Sequence, residues 1–398
     1  VHVLGFDPTD PAFVADPYPV YDRLRREAPV VLHEGHGSWL VSRHADVDRV
    51  LRDRAFGRAF VPREPYERFA PWNLVNEHAM LELEPPEHTR LRGLVGRAFS
   101  PRRIAAMREA IVGATDALLA PVVEHLDDGG TVDLVPALAE PLPVAVIADL
   151  LGFPDEGREL LRPWSNAIVA LYEPFPDPSV EDAAIAAARD FTAALRELIA
   201  ARRRRPGDDL LSELALLSVD GDRLSEDELV ATAVLLLNAG HEASVNVIGN
   251  GIIALLERPD AWRRLVADPA LVPRAVEELI RFDTPLSLFT RRVLAPVAVG
   301  GVALGPGETV SVLIGSANRD PEAFDAPDLL DLARDPNPQL GFGAGIHFCL
   351  GAALARLELA VAFGRLAQLL PGLVLATAPT RRSSFQFRGH ANVPVTAA

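Results

Sequence analysis

The chain has 398 residues, 49% of them hydrophobic and 24% charged, enough to bury a large core and ordinary for a globular protein. Its net charge is 39 − 55 = −16, with arginine as the only basic residue besides histidine, which disfavours nucleic acid and anionic membranes as general partners. One cysteine excludes an intramolecular disulfide, and the first twenty residues carry neither a basic start nor an apolar run, so no signal peptide or anchor is read and a cytoplasmic protein is expected.

No internal repeat, low-complexity tract or linker interrupts the sequence, so a single domain over 1–398 is expected. Residues 18–28 read as a short helix. Residues 30–33 and 39–42 read as paired strands around a turn at 34–38. Helix returns at 45–52. Residues 56–78 mix prolines and aromatics without a clean period and read as a long irregular loop, a kind of segment that often carries function. Pro85-Pro86 can open a helix, on which His88 and Arg92 share a face at i and i+4. Such a pair can hold a carboxylate. Arg97, Arg102, Arg103 and Arg108 extend the positive character, as a solvated face or as a docking patch for an acidic partner. Residues 131–204 read as several helices with a break at 173–178, closed by Arg202 to Arg205 and the stop signal Pro206-Gly207.

Ser225 and Glu228 form a capping box that opens a helix of about 33 residues, about 50 Å long. Its middle, residues 235–237, is apolar on every side and reads as buried. Next to it stand Asn238, Ala239, Gly240, His241, Glu242, Ala243 and Ser244. A glycine inside a helix costs about 1 kcal/mol relative to alanine. A buried glutamate costs more unless it is hydrogen-bonded or neutralised. A crossing of small residues would explain Ala239 and Gly240 but not Glu242, so the stretch reads as functional.

Residues 275–281 are helical, with Glu278 and Arg281 at i and i+3. A hairpin is expected around Gly300-Gly301. The stretch 341–351, GFGAGIHFCLG, then places Cys349 on a glycine-rich loop before an alanine-rich helix. Backbone N–H groups and the helix dipole there favour a thiolate, suited to nucleophilic attack or to metal ligation.

Phe342, Gly345, His347, Cys349 and Gly351 satisfy F-x-x-G-x-H-x-C-x-G. This loop resembles the haem-binding loop of the cytochrome P450 family, in which the cysteine thiolate is the proximal iron ligand. Glu278 and Arg281, 71 residues ahead of the cysteine, match that family's E-x-x-R, and Asn238 to Ser244 match its central-helix motif except at one position. The resemblance implies a mainly α fold with a smaller β-rich part. It implies haem b buried between the long central helix and the Cys349 loop. It also assigns roles. His88, Arg92, Arg291 (or Arg292, one register away) and His347 would grip the propionates. Phe342, Gly343 and Ala239 would lie against the haem, and Gly240 would leave room for dioxygen. Arg334 would join Glu278 and Arg281. Leu286, Leu288, Phe289 and Phe385 would line a substrate pocket, with Asn238 as a polar contact. In the family a threonine follows the helix acid and relays protons. Here that position is Ala243, and Ser244 lies about 100° further round the helix.

The implied activity is insertion of one oxygen atom, by hydroxylation or epoxidation, into a mostly apolar natural product such as a polyketide or macrolide. Electrons would come from NAD(P)H through a separate ferredoxin and ferredoxin reductase, to a monomer. Three alternatives compete: a peroxide-using or coupling haem-thiolate enzyme, a non-catalytic haem-binding protein, and a colourless hydrolase with Cys349 as nucleophile.

Overall fold

In the computed structural model, which describes residues 6–173, 176–218 and 221–398, the capping box opens the long helix as its chemistry dictates. Ser225 N–H donates to Glu228 Oε2 at 2.8 Å and Glu228 N–H donates to Ser225 Oγ at 3.2 Å. The helix runs Glu226–Leu256, 31 residues, two fewer than its apolar pattern suggests. Leu236 and Leu237 are buried, whereas Leu235 is half-buried.

The chain forms two compact units, each gathered from separate stretches: Val1–Gly57, Val112–Pro141 and Ala243–Ala398 in the first, Arg58–Ile111 and Leu142–Glu242 in the second. The first unit holds the β structure. A five-stranded sheet runs in the order Val30–His33, Ser38–Val41, Thr309–Leu313, Leu288–Val293, Phe56–Gly57. Its alternate residues Val41, Val293, Val310 and Val312 are buried against Val47, Val50 and Leu51 of the helix His44–Arg52. Val297–Val299 pairs with Val302–Leu304. Gly300 and Gly301 close that hairpin with φ of 56° and 81°, values that a two-residue turn between right-twisted strands demands.

The second unit is helical. Pro178–Arg204 packs against Arg158–Ala170, Leu210–Leu216 and Tyr66–Glu77. The last of these corrects the reading of 56–78 as irregular. The helix was hidden because its buried face carries Asn73 and Asn76 beside Phe69, Trp72 and Val75, and because Pro71 lies inside it. Asn73 is buried for a reason: its side chain accepts from Arg63 N–H at 3.0 Å and donates to Arg63 C=O at 3.1 Å, tying down the stretch before the helix. The break expected at 173–178 falls partly on residues outside those described.

In the first unit Glu278 and Arg281, on the helix Val272–Phe282, are fully buried. Arg281 donates to both carboxylate oxygens, at 2.7 and 2.8 Å. Arg334 Nε adds a bond to Glu278 at 3.0 Å and Asp331 N–H another at 2.8 Å. Arg281 also donates to the carbonyl of Asn318 at 2.9 Å, and Asn318 Oδ1 accepts from Leu340 N–H at 2.8 Å, at the entrance to the Cys349 loop. Removing one partner of such a pair strands a buried charge. Glu278→Ala is therefore expected to cost about 3–5 kcal/mol of stability. A urea midpoint within the error of the wild type would show that the pair does not hold this region.

Candidate functional site

The Cys349 loop is shaped by its glycines and by backbone bonds. Gly343 N–H donates to Leu340 C=O at 2.8 Å, Phe348 N–H to Gly345 C=O at 3.1 Å, and Cys349 N–H to Phe342 C=O at 2.9 Å. Gly345 has φ +70°, and a Cβ there would stand 2.3 Å from the Leu51 carbonyl oxygen, so only glycine fits. The helix Ala352–Leu369 begins just beyond, with Gly351 as its cap, and Cys349 stands half-buried ahead of it. The Phe342 ring lies under the Arg356 guanidinium at 4.5 Å. His347 is half-buried in the short turn Gly345–His347.

Strand Leu288–Val293 of the same unit separates the two arginine candidates. Arg291 is 5% exposed, while Arg292 reaches outward to Gly307 C=O at 3.3 Å. Phe289 packs on the sheet core, with its ring 3.6 Å from where a Gly343 side chain would begin. Leu288 and Phe385 lie together in another buried cluster with Phe13, Tyr21 and Leu313. Phe385 is fixed there because the C-terminal segment is tied to Asp283, which takes Arg381 Nη2 at 2.6 Å and Arg388 Nε at 2.6 Å. Burial opposes charge on Asp283, but the two guanidiniums hold its carboxyl far below the usual range. Leu286 is half-buried and bridges to Phe387.

In the second unit His88 is buried on the helix Glu87–Ala98, one turn before the half-buried Arg92. Burial and then the charge of Arg92 lower its pKa, as expected of two groups with positive character held side by side. Arg97, Arg102 and Arg108 are exposed, but Arg103 is committed to Glu213 at 2.6 Å.

Along the central helix Leu235, Ala239 and Ala243 follow at i, i+4 and i+8, and with Gly240 they are its middle residues that are not buried, Ala239 being exposed. Gly240 lies elsewhere: a Cβ there would meet Ile147 Cδ1 at 2.8 Å, so this glycine serves close helix packing. Glu242 is 8% exposed and Asn238 is 7% exposed. Asn238 Oδ1 has no hydrogen-bond partner among the described residues. It borders a cleft shared with Val75, Asn76, Tyr172, Val234 and Leu235. Tyr172 donates to Asn76 Oδ1 there at 2.6 Å. No motif or periodicity marks Tyr172, which tertiary packing brings to the cleft.

Ser244 is 5% exposed and turns to the helix Ala352–Leu369, where its Oγ is 3.5 Å from Glu358 Oε2. Glu358 was overlooked because an alanine-rich amphipathic helix normally places a glutamate in solvent.

The cytochrome P450 family model matches residues 30–370. This chain belongs to the cytochrome P450 family. It is 42% identical to the vitamin D(3) 25-hydroxylase of Pseudonocardia autotrophica, over 96% of this chain and 94% of that one. It is 39% identical to the 6-deoxyerythronolide B hydroxylase of Saccharopolyspora erythraea, over 96% of both. Its fold matches the crystal structure of P450BioI in complex with an acyl carrier protein ligated to hexadec-9Z-enoic acid, with a TM-score of 0.92, 33% identity, and coverage of 97% and 99%. The P450 is thus a haem-thiolate monooxygenase of bacterial type with a mainly helical fold. Its donor set fits the cofactor: a half-buried cysteine on a loop whose backbone only glycine permits at Gly345. Among the described residues no helix is long and apolar enough to cross a membrane.

Burial, opposed only by the Ser244 bond, raises the Glu358 pKa from 4.5 to about 8. The sign follows from linkage. Above the unfolded value the unfolded chain releases this proton while the folded P450 keeps it, so stability falls as pH rises, by about 1.4 kcal/mol per unit, until the folded group also ionises. Against Glu358→Gln, which cannot ionise, the wild type is expected to lose stability progressively from about pH 5 to about pH 8 in urea titrations. Parallel pH profiles for the two proteins would refute the shift.

Proposed function

We propose that this P450 inserts one oxygen atom, by hydroxylation or epoxidation, into a mostly apolar natural product of the polyketide or macrolide kind. The observation that carries the reading is the cleft beside the central helix. Val75, Ala79, Leu81, Val234 and Leu235 line it beside Asn76, Glu82 and Tyr172, and one buried amide oxygen, Asn238 Oδ1, has no hydrogen-bond partner among the described residues. A buried acceptor without a donor is costly, so a ligand hydroxyl placed there would be favoured. The 6-deoxyerythronolide B hydroxylase, similar over nearly its whole length, supports a polyketide-derived ligand.

In this reading the cofactor is haem b. Cys349 would supply the thiolate ligand, and His88, Arg92, Arg291 and His347 would hold its propionates through charge-assisted hydrogen bonds. Haem so ligated supplies the activation of dioxygen. Phe342 and Arg356 stiffen the ligand loop, while Gly343 supplies the φ of +69° that its turn takes. Leu286, Leu288 and Phe385 would contribute apolar surface to the substrate site. Ala239 and Ala243 present methyl groups where the helix is least covered. Ala243 cannot donate a proton, and Ser244 faces another direction. Proton delivery then falls to ordered water and to a hydroxyl of the substrate, with Glu242 connecting to solvent. Residues 1–398 act as one P450 domain, monomeric and cytoplasmic, reduced by a ferredoxin and its NAD(P)H-dependent reductase.

Cys349→Ser and Cys349→Ala are both expected to abolish the thiolate-type CO difference spectrum while far-ultraviolet circular dichroism stays unchanged. A thiolate-type band in either variant would remove Cys349 as the ligand. Ala243→Thr tests the proton route: with the true substrate, found by screening for a Soret shift, it is expected to leave unchanged or lower the product formed per NADPH. A gain in that ratio would sink assistance by the substrate hydroxyl.

A further inference from the structure

The cleft of the second unit holds four polar side chains, Asn76, Glu82, Tyr172 and Asn238, among apolar ones. Their hydrogen bonds fix what each can offer a ligand. Asn76 is 3% exposed, and its Nδ2 donates to Trp72 C=O at 2.8 Å. Turning that amide over would set two oxygens against each other, so Oδ1 is the atom that faces Tyr172. The Tyr172 O–H, its only donor, is thereby committed to Asn76, at 2.6 Å. The Trp72 ring lies against the phenol, with centroids 5.6 Å apart, and holds it in place. Burial and then the charge of Glu82 push the Tyr172 pKa up, so the phenol keeps its proton. What Tyr172 leaves for a ligand is oxygen lone pairs. Glu82, paired with Arg58, is a carboxylate and only accepts. Asn238 is 7% exposed, and its Oδ1 has no hydrogen-bond partner among the described residues.

We infer that Asn76, Tyr172 and Asn238 form an acceptor wall that selects ligands with a hydroxyl over ligands with a carbonyl at the same place. Asn238 and Tyr172 determine this specificity directly. Asn76 is a positioning residue, since it sets the direction of the Tyr172 O–H without needing to touch the ligand. A ligand hydroxyl can donate to either oxygen. A ketone brings one more acceptor among acceptors and gains no bond. A substrate assembled with ketones would therefore need one of them reduced to an alcohol before it fits, which places a carbonyl reduction ahead of this enzyme. The inference rests on the proposed reading of the cleft as the substrate site, and the two fail separately. A preference for alcohols in a holoenzyme that forms no oxygenated product would remove the oxygen-insertion reading and keep the wall. Oxygenated product from alcohol and ketone alike, bound equally well, would do the reverse.

The test uses the ferric holoenzyme and two probes of one skeleton, cyclododecanol and cyclododecanone, with dissociation constants read from the Soret shift. The wild type is expected to bind the alcohol about tenfold more tightly than the ketone. Asn238→Leu and Tyr172→Phe should each bring that ratio toward one, by weakening the alcohol and leaving the ketone. Asn76→Leu frees the Tyr172 O–H to turn into the cleft, so the ketone should bind about fivefold more tightly than it binds the wild type. A purely structural role for Asn76 would weaken both probes together and could not favour the ketone. Equal constants in the wild type, a response to neither probe, or a ratio that survives in both Asn238→Leu and Tyr172→Phe overturns the inference. So does a ketone that gains nothing in Asn76→Leu. If Asn76→Leu does not fold, the wild-type ratio and its change in Tyr172→Phe decide.

Discussion

Within the first unit, much hangs on the carboxylate of Glu278. It is fully buried and takes bonds from Arg281, Arg334 and the Asp331 backbone. A buried ion pair is poor evidence for stability, since desolvation offsets most of its attraction. Its value here is geometric. Arg281 also holds the backbone at Asn318, Pro327 and Leu329, three points on a segment with little secondary structure of its own. Asn318 passes the constraint on to Leu340, and Leu340 C=O caps the first turn of the Cys349 loop. The position of the thiol therefore depends on a charge cluster 71 residues earlier in the chain. That dependence suits an axial ligand, whose distance to a metal tolerates little error.

How much of this could be read from the residues alone depended on whether the signal was local. The capping box at Ser225, the Gly300-Gly301 hairpin and the loop around Cys349 carry their information within a few residues, and each took the form expected of it. The helix Tyr66–Glu77 did not, because its buried side carries Asn73 and Asn76, satisfied by partners that no periodicity can announce. Tyr172 joins the cleft only through the packing of distant helices. Leu288 and Phe385 read as lining of a substrate pocket, and the structure buries both in a cluster with Phe13 and Tyr21 from the start of the chain. Sequence indicates that a side chain is buried more readily than what it is buried against.

The central helix shows the same division at finer scale. Ala239 and Gly240 are adjacent small residues and invite a common explanation. The fold separates them: Ala239 is exposed, while Gly240 is filled by Ile147. A turn of about 100° per residue sends neighbours into different surroundings. Ala243 and Ser244 repeat the lesson. The serine hydroxyl is one residue from the Ala243 methyl, but it faces Glu358 on the helix that follows the cysteine.

This placement bears on what replaces the threonine. A hydroxyl can relay a proton only if it has a donor behind it and an acceptor ahead. At position 243 there is no hydroxyl, so that link is missing whatever surrounds it. At position 244 a hydroxyl is present and the group behind it is a carboxyl with no cation to stabilise its ionised form. Burial disfavours the carboxylate form there and pushes the Glu358 pKa up to about 8. Position 243 therefore offers a methyl group alone, and the hydroxyl one residue on is turned to a different helix.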